Sequence, residues 1–305
     1  MASNVIELNG VVRHFGAVRA VDGVDLSIAA GELFGLIGHN GAGKTTLFKL
    51  MLGLLEPSAG RLEIAGVPAC GERFREVRRG IAYMPESASL YGNLTGLETL
   101  RFFAKLKRAA PASCPALLER VGLATVAHRQ VRHYSKGMVQ RLLFAQALLG
   151  KPRILFLDEP THGLDPVGVR EFYEALRDLR SEGVTVVLTS HILSEVEQRV
   201  DRLALMSGGR VRAAGTVDAL RSALDLPLTF DVRLRDDAES ELRRALEPLA
   251  VQTVHVGEGC ATVACARGVK LAVLGALSSL GDRLLDVRIK EPTLEDVFMG
   301  YRGAH

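Results

Sequence analysis

One stretch limits the possible folds more than any other: Gly38-His39-Asn40-Gly41-Ala42-Gly43-Lys44-Thr45, a full match to G-x-x-x-x-G-K-[ST]. The apolar residues 33–37 before it read as a buried strand, and residues 46–52 after it read as a helix. Strand, glycine-rich loop and helix in that order predict an α/β fold with a phosphate cradle. The glycines let successive backbone N–H groups turn inward on phosphate oxygens, and the helix N-terminus adds a favourable dipole. Candidate triphosphate-binding residues are therefore Gly38, His39, Asn40, Gly41, Ala42, Gly43, Lys44, Thr45 and Thr46. Lys44 has the reach for the terminal phosphates. The Thr45 hydroxyl suits Mg²⁺, which prefers hard oxygen ligands.

Two further apolar runs end in residues that suit the same chemistry. Residues 154–157 read as a buried strand closed by Asp158-Glu159-Pro160. Ligands of α/β sheets bind at the carboxyl ends of strands, which would bring both acids beside the phosphates. Asp158 then fits the Mg²⁺ shell, and Glu159 fits polarisation of an attacking water. Residues 184–188 lead into Thr189-Ser190-His191, where the imidazole can donate to a γ-phosphate. Lys44, Glu159 and His191 are the catalytic candidates.

Bulk properties exclude some functions. A chain of 305 residues, 48% hydrophobic, can bury a core and suggests about two domains. No apolar run approaches the ~18 residues of a membrane span, and the polar start gives no signal-peptide pattern, so a cytoplasmic chain is expected. Cys70, Cys114, Cys260 and Cys265 are scattered without disulfide or zinc spacing. A net charge of +3 gives no reason to expect nucleic acid. Its distribution is uneven. Residues 101–153 hold eleven Lys or Arg and one acid, Glu119, a net +10 against −7 elsewhere. That excess fits either a solvated helical face or a surface working near anionic headgroups or an acidic partner loop.

Tyr134-Ser135-Lys136-Gly137-Met138 directly precedes an expected helix over 139–149. With this segment in place, the sequence resembles the ATP-binding subunits of ABC transporters, whose signature here reads Leu-Ser-Gly-Gly-Gln. Ser135 and Gly137 match, while Tyr134, Lys136 and Met138 depart. The resemblance implies a P-loop NTPase domain of the ABC type that uses ATP and Mg²⁺ and forms a head-to-tail homodimer. In that dimer Ser135, Lys136 and Gly137 would touch the ATP held by the opposite subunit. It further implies that Phe15 stacks on adenine and that Glu86, where the family usually has glutamine, joins Thr45 and Asp158 at Mg²⁺. Asp165, in Gly163-Leu164-Asp165-Pro166, would lie at the dimer interface.

The similarity runs over residues 5–216, with a helical subdomain at about 87–146 that carries the basic excess. It implies a polytopic membrane permease as partner and a peripheral position on the cytoplasmic face of the inner membrane. The wording of residues 38–41, 90–107, 134–138 and 146–150 looks most like the ATPase of the nitrous-oxide-reductase maturation system. That points to copper-site maturation with a periplasmic accessory protein. A multidrug or other exporter ATPase shares several of these phrases and stands as the alternative. A soluble ABC ATPase outside transport is the alternative from another class.

Domains are expected at 1–224 and 225–305, with Asp225-Leu226-Pro227 as the linker. The second should be a small α+β ferredoxin-like module, β-α-β-β-α-β, with strands at 229–234, 251–256, 261–266 and 284–289 and helices at 238–249 and 269–280. Dimerisation, regulation and ligand sensing are all open roles for it. His255 and Cys260 are too few for a metal site. Residues 292–298 resemble the tail helix of this transporter class.

Overall fold

The computed structural model describes residues 3–223, 227–235, 238–257 and 259–291. The chain divides into two compact units, residues 1–215 and 216–305.

The first unit opens with a long hairpin, β1 (Asn4–Phe15) and β2 (Val18–Ala29), and continues through β3 (Leu33–Ile37) into α1 (Lys44–Met51). Next come β4 (Ala59–Ile64), β5 (Val67–Pro68), α2 (Phe74–Arg78) and β6 (Ile81–Met84). Three helices, α3 (Gly96–Leu106), α4 (Cys114–Arg120) and α5 (Lys136–Leu148), then pack on one another before the chain returns through β7 (Ile154–Leu157). The unit closes with α6 (Pro166–Ser181), β8 (Thr185–Ser190), α7 (Leu193–Val196), β9 (Arg202–Ser207) and β10 (Arg210–Gly215).

These strands form two sheets, ordered β2-β1-β4-β5 and β10-β9-β3-β8-β7-β6. In the second, β9, β3, β8, β7 and β6 run parallel. Every residue of β3, β7 and β8 is buried. Strands covered on both faces carry no polar alternation, which is why β3 and β7 appear in the sequence as unbroken apolar runs, while β8 also buries Thr185 and Thr189 with their hydroxyls hydrogen-bonded. Ile6, Ile28, Phe34, Leu36, Phe48, Ile64 and Phe156 share one core cluster that binds the antiparallel sheet, α1 and the parallel sheet. The register aligns Ile37 with Ser190, Leu157 with Leu188 and Met84 with Leu157. Four strand ends therefore open on one side of the sheet, each carrying a motif.

Helix starts follow local chemistry. Thr95 caps α3 in a box with Glu98, Ser135 caps α5, and Asp165 caps α6 with Pro166 in its first turn.

The second unit comprises α8 (Val217–Ala223), β11 (Leu228–Leu234), α9 (Glu239–Leu246), β12 (Val251–Gly257), β13 (Cys260–Cys265), α10 (Lys270–Ser278) and β14 (Leu284–Lys290). Its antiparallel sheet is ordered β12-β13-β11-β14, the interleaving that a split β-α-β pair produces. Leu228, Phe230, Val232 and Leu234 alternate with more exposed residues along β11 and pack with Leu242, Leu246, Val273 and Leu277 of the two helices. Cys265 is buried and Cys260 exposed, on opposite faces of β13. The expected strands and helices of this module appear with ends shifted by a few residues. The expected tail helix at 292–298 lies outside the described residues, as do Asp225 and Leu226 of the linker.

Candidate active site

The loop after β3 is shaped by contacts only glycine permits. A Cβ on Gly38 would strike the Met206 carbonyl, and one on Gly43 would strike that of Ala20. Gly43 also holds φ +103° as the N-cap of α1, with no side chain capping the helix. The first-turn N–H groups of α1 are thus left to an anion. Because the left-handed turn at Gly43 completes the loop, α1 starts at Lys44 rather than at residue 46.

Lys44 is buried, and its ammonium donates to the Gly38 carbonyl at 2.6 Å. The same Nζ lies 3.4 Å from Glu159 Oε1, an ion pair without hydrogen-bond alignment. The other carboxylate oxygen, Oε2, is 2.8 Å from His191 Nδ1. Glu159 adopts φ +47°, a left-handed conformation uncommon outside glycine, at the turn that follows β7.

Asp158 is also buried, with its two oxygens committed differently. Oδ2 accepts from the Thr45 hydroxyl at 3.3 Å and the Tyr83 hydroxyl at 3.4 Å. Oδ1 accepts from the Thr189 hydroxyl at 2.6 Å. Burial, and then the Asp158 charge, pushes the Tyr83 phenol well above its ordinary range, so it stays a proton donor. Thr45 and Asp158 present adjacent hard oxygens, a donor set suited to a divalent ion that keeps several waters.

Gly43, Lys44, Thr45, Asp158 and Glu159 line a cleft of about 410 Å³ with His39, Asn40, Gly41, Ala42, Thr46 and Glu86. Val18, Arg19, Ala20, Gly208 and Gly209 supply its far wall. Phe15 is 47% exposed, so it is not a core aromatic; the Arg13 guanidinium lies 4.7 Å from its ring centre. It pairs with Val18 at the tip of the β1–β2 hairpin, at the rim of the cleft rather than in its lining.

Glu86 reaches the cleft wall, but its carboxylate lies 3.3 Å from His162 Nδ1. His162 Nε2 is in turn 3.3 Å from Lys136 Nζ. Two of the positions that depart from the family pattern, Glu86 and Lys136, therefore meet across one histidine. Ser135, Lys136, Gly137 and Asp165 line a separate cleft of about 510 Å³ that shares no residue with the first. Within one chain, these four do not join the phosphate loop. Ser135 Oγ accepts from the Met138 N–H at 3.2 Å and Asp165 Oδ1 from the Gly168 N–H at 2.7 Å, so each also caps its helix.

Thr189, Tyr83 as an Asp158 donor, and His162 were not anticipated as site residues. Thr189 is the last residue but one of β8, two before His191, and a hydroxyl at the end of a strand that leads into the site is a usable signal. Nothing near His162 in the sequence reveals its partners. The basic segment is also less free than its charge suggests. Lys107 donates to the Gln146 carbonyl at 2.9 Å, Arg120 pairs with Glu182 at 2.7 Å and Arg141 with Glu171 at 2.8 Å.

Among the described residues no group of three or more His, Cys, Asp or Glu could hold a metal ion, and no helix is long and apolar enough to cross a membrane.

Comparison with known proteins identifies the family. The family model described as "ABC transporter" matches residues 21–162. The daunorubicin resistance ATP-binding protein DrrA3 of Streptomyces coeruleorubidus is 38% identical over 309 residues, covering 99% of this chain and 97% of that protein. The Nod factor export ATP-binding protein I of Cupriavidus pinatubonensis is 36% identical, covering 98% of this chain and 91% of that one. A solved ATP-binding subunit of an ABC transporter superposes with a TM-score of 0.64 at 32% identity, over 72% of this chain and 92% of the other.

Proposed function

The chain belongs to the ABC transporter ATP-binding family, whose domains bind and hydrolyse ATP, and we propose that it powers an exporter of an organic compound. The observation that carries this reading is the full-length likeness to the daunorubicin-resistance protein, which extends past the ATPase unit through the C-terminal module. The Nod-factor-export relative supports it over nearly the same span.

The narrower expectation of nitrous-oxide-reductase copper-site maturation gives way here. It rested on phrases inside the ATPase cassette, and the cassette performs the same phosphate chemistry whatever the cargo. The full-length relatives carry drug-resistance and export names, and the absence of a candidate metal cluster among the described residues adds no support for copper. A periplasmic accessory protein goes with the copper reading.

In the proposed cycle two copies associate around two ATP molecules. Ser135, Lys136 and Gly137 of each complete the phosphate cradle of the other, and Asp165 lies at the interface. The separation of the two clefts within one chain is the geometric reason for a second copy. Mg²⁺, when bound beside Thr45 and Asp158, neutralises phosphate charge. Lys44 supplies a further cation, Glu159 accepts the proton of the attacking water, and His191 holds Glu159 in place. Phe15 at the rim offers a face to adenine. A polytopic membrane subunit would hold the complex at the cytoplasmic face of the membrane, with the C-terminal module as an accessory or dimerisation unit.

The test is to purify the chain with its membrane subunit from a detergent extract, reconstitute both in liposomes, and measure phosphate release with an anthracycline or with Cu(I). Stimulation by the organic compound together with its ATP-dependent movement is the expected result. Stimulation by Cu(I) alone would return the copper reading and end this one.

A further inference from the structure

Thr189 is fully buried at the end of β8, where the register sets it beside Asp158 and Glu159. Its hydroxyl makes two bonds of opposite sense. It donates to Asp158 Oδ1 at 2.6 Å and accepts from the backbone N–H of Glu159 at 2.9 Å. A hydroxyl carries one proton and two lone pairs, so one group can serve both partners at once.

Each bond constrains a different part of the site. With Oδ1 held by Thr189, the Asp158 carboxylate keeps its second oxygen turned to Thr45 and Tyr83. Holding the Glu159 N–H anchors a residue whose left-handed backbone, φ +47°, has to be stabilised by its surroundings. That turn sets the Glu159 side chain between Lys44 and His191.

We propose that Thr189 is a positioning residue for ATP hydrolysis, its single hydroxyl fixing the Asp158 carboxylate and the Glu159 turn together. The inference rests on the roles given above to those two acids. Valine has the shape of threonine without the hydroxyl, so Thr189→Val would leave a buried acceptor on Asp158 and a buried donor on Glu159 without partners. Serine keeps the hydroxyl and loses only a methyl group.

Phosphate release is measured against Mg²⁺ concentration for wild type, T189V and T189S, with binding of a fluorescent ATP analogue in EDTA recorded alongside. T189V should lower kcat and raise the half-saturating Mg²⁺ by about 10- to 100-fold, the range found when a partner behind a metal ligand is removed. Binding in EDTA should stay unchanged. T189S should stay within about threefold of wild type, because the hydrogen-bonding group is retained. Should T189V fail to fold, T189S against Thr189→Ala provides the same contrast of hydroxyl kept and hydroxyl lost. Wild-type behaviour of the hydroxyl-free variant, or equal loss in T189S, overturns the proposal. A Glu159→Gln variant with full turnover would instead remove the role of Glu159 on which the inference rests, so the two failures are distinguishable.

Discussion

Lys44 and Glu159 form a buried ion pair, Nζ to Oε1 at 3.4 Å, on the floor of the phosphate-loop cleft. The base candidate thus touches the cation that must also meet the terminal phosphates, and its second oxygen is held by His191. Charge on any one of the three bears on the other two.

Removing the Glu159 charge should therefore separate binding from chemistry. Glu159→Gln is expected to bind ATP at least as well as wild type while phosphate release falls by roughly 10²- to 10⁴-fold, the range for loss of a general base. A nucleotide-held dimer should accumulate in size-exclusion runs with ATP. Undiminished phosphate release would take Glu159 out of its role.

His191→Ala should lower turnover by leaving Glu159 Oε2 without its 2.8 Å partner. Residues acting as one unit are not additive, so adding this change to Glu159→Gln should cost little more than Glu159→Gln alone. Fully additive losses in single-turnover assays would mean that the two act independently.

Glu86 and His162 are both about half exposed, at 53% and 50%, and their contact is screened. Exposed pairs contribute at most about 1 kcal/mol, or about fivefold in rate. Glu86→Gln, which restores the usual family residue, and His162→Ala should each change phosphate release by less than that. A far larger loss in the Glu86 variant alone would give its carboxylate a direct part at the phosphates.

Lys107 caps the carboxyl end of α5 through the Gln146 and Ala147 carbonyls, whereas the Lys105 ammonium, on a likewise exposed residue, makes no hydrogen bond or ion pair among the described residues. Lys107→Gln should destabilise the first unit by about 0.3–1 kcal/mol, as a cation leaving a helix C-terminus does. Lys105→Gln should leave thermal unfolding within about 0.5 kcal/mol of wild type. Equal effects on unfolding would count against the cap. Equal effects on assembly with the membrane subunit would favour a shared headgroup-facing surface.

Glu98 closes the N-terminus of α3. The Thr95 backbone N–H and then the Thr95 hydroxyl hold its carboxyl below the ordinary range. A carboxyl lowered in the fold contributes stability above its unfolded value of about 4.3 that disappears as pH falls through the folded one. Glu98→Gln keeps the cap but has no proton to gain, so its stability should fall less steeply than wild type below about pH 4.3 in denaturant titrations. Parallel curves would show that Glu98 adds nothing to the acid dependence.

The phosphate loop, the acids after β7 and the histidine after β8 were legible because each is written in contiguous residues with a local requirement. Glycine is needed where backbone crowds backbone, and unbroken apolar runs are needed where a strand is covered on both faces. The C-terminal module was legible for the same reason, since alternation along β11 records a sheet covered on one side. Cargo was not. The phrases that suggested copper belong to the shared ATPase machinery, and full-length relatives pointed elsewhere.

By itself, then, the sequence determined the strand-loop-helix unit, the residue types at the strand ends and the order of elements, all consequences of local backbone geometry and burial. Only the tertiary structure decided that β8 lies between β3 and β7, that Thr189 binds both acids, that His162 joins Glu86 to Lys136, and that Ser135 and Gly137 open onto a different cleft from Lys44. Those relations depend on register and on side chains from distant parts of the chain meeting, as at 3.3 Å on either side of His162, and no local pattern encodes such distances.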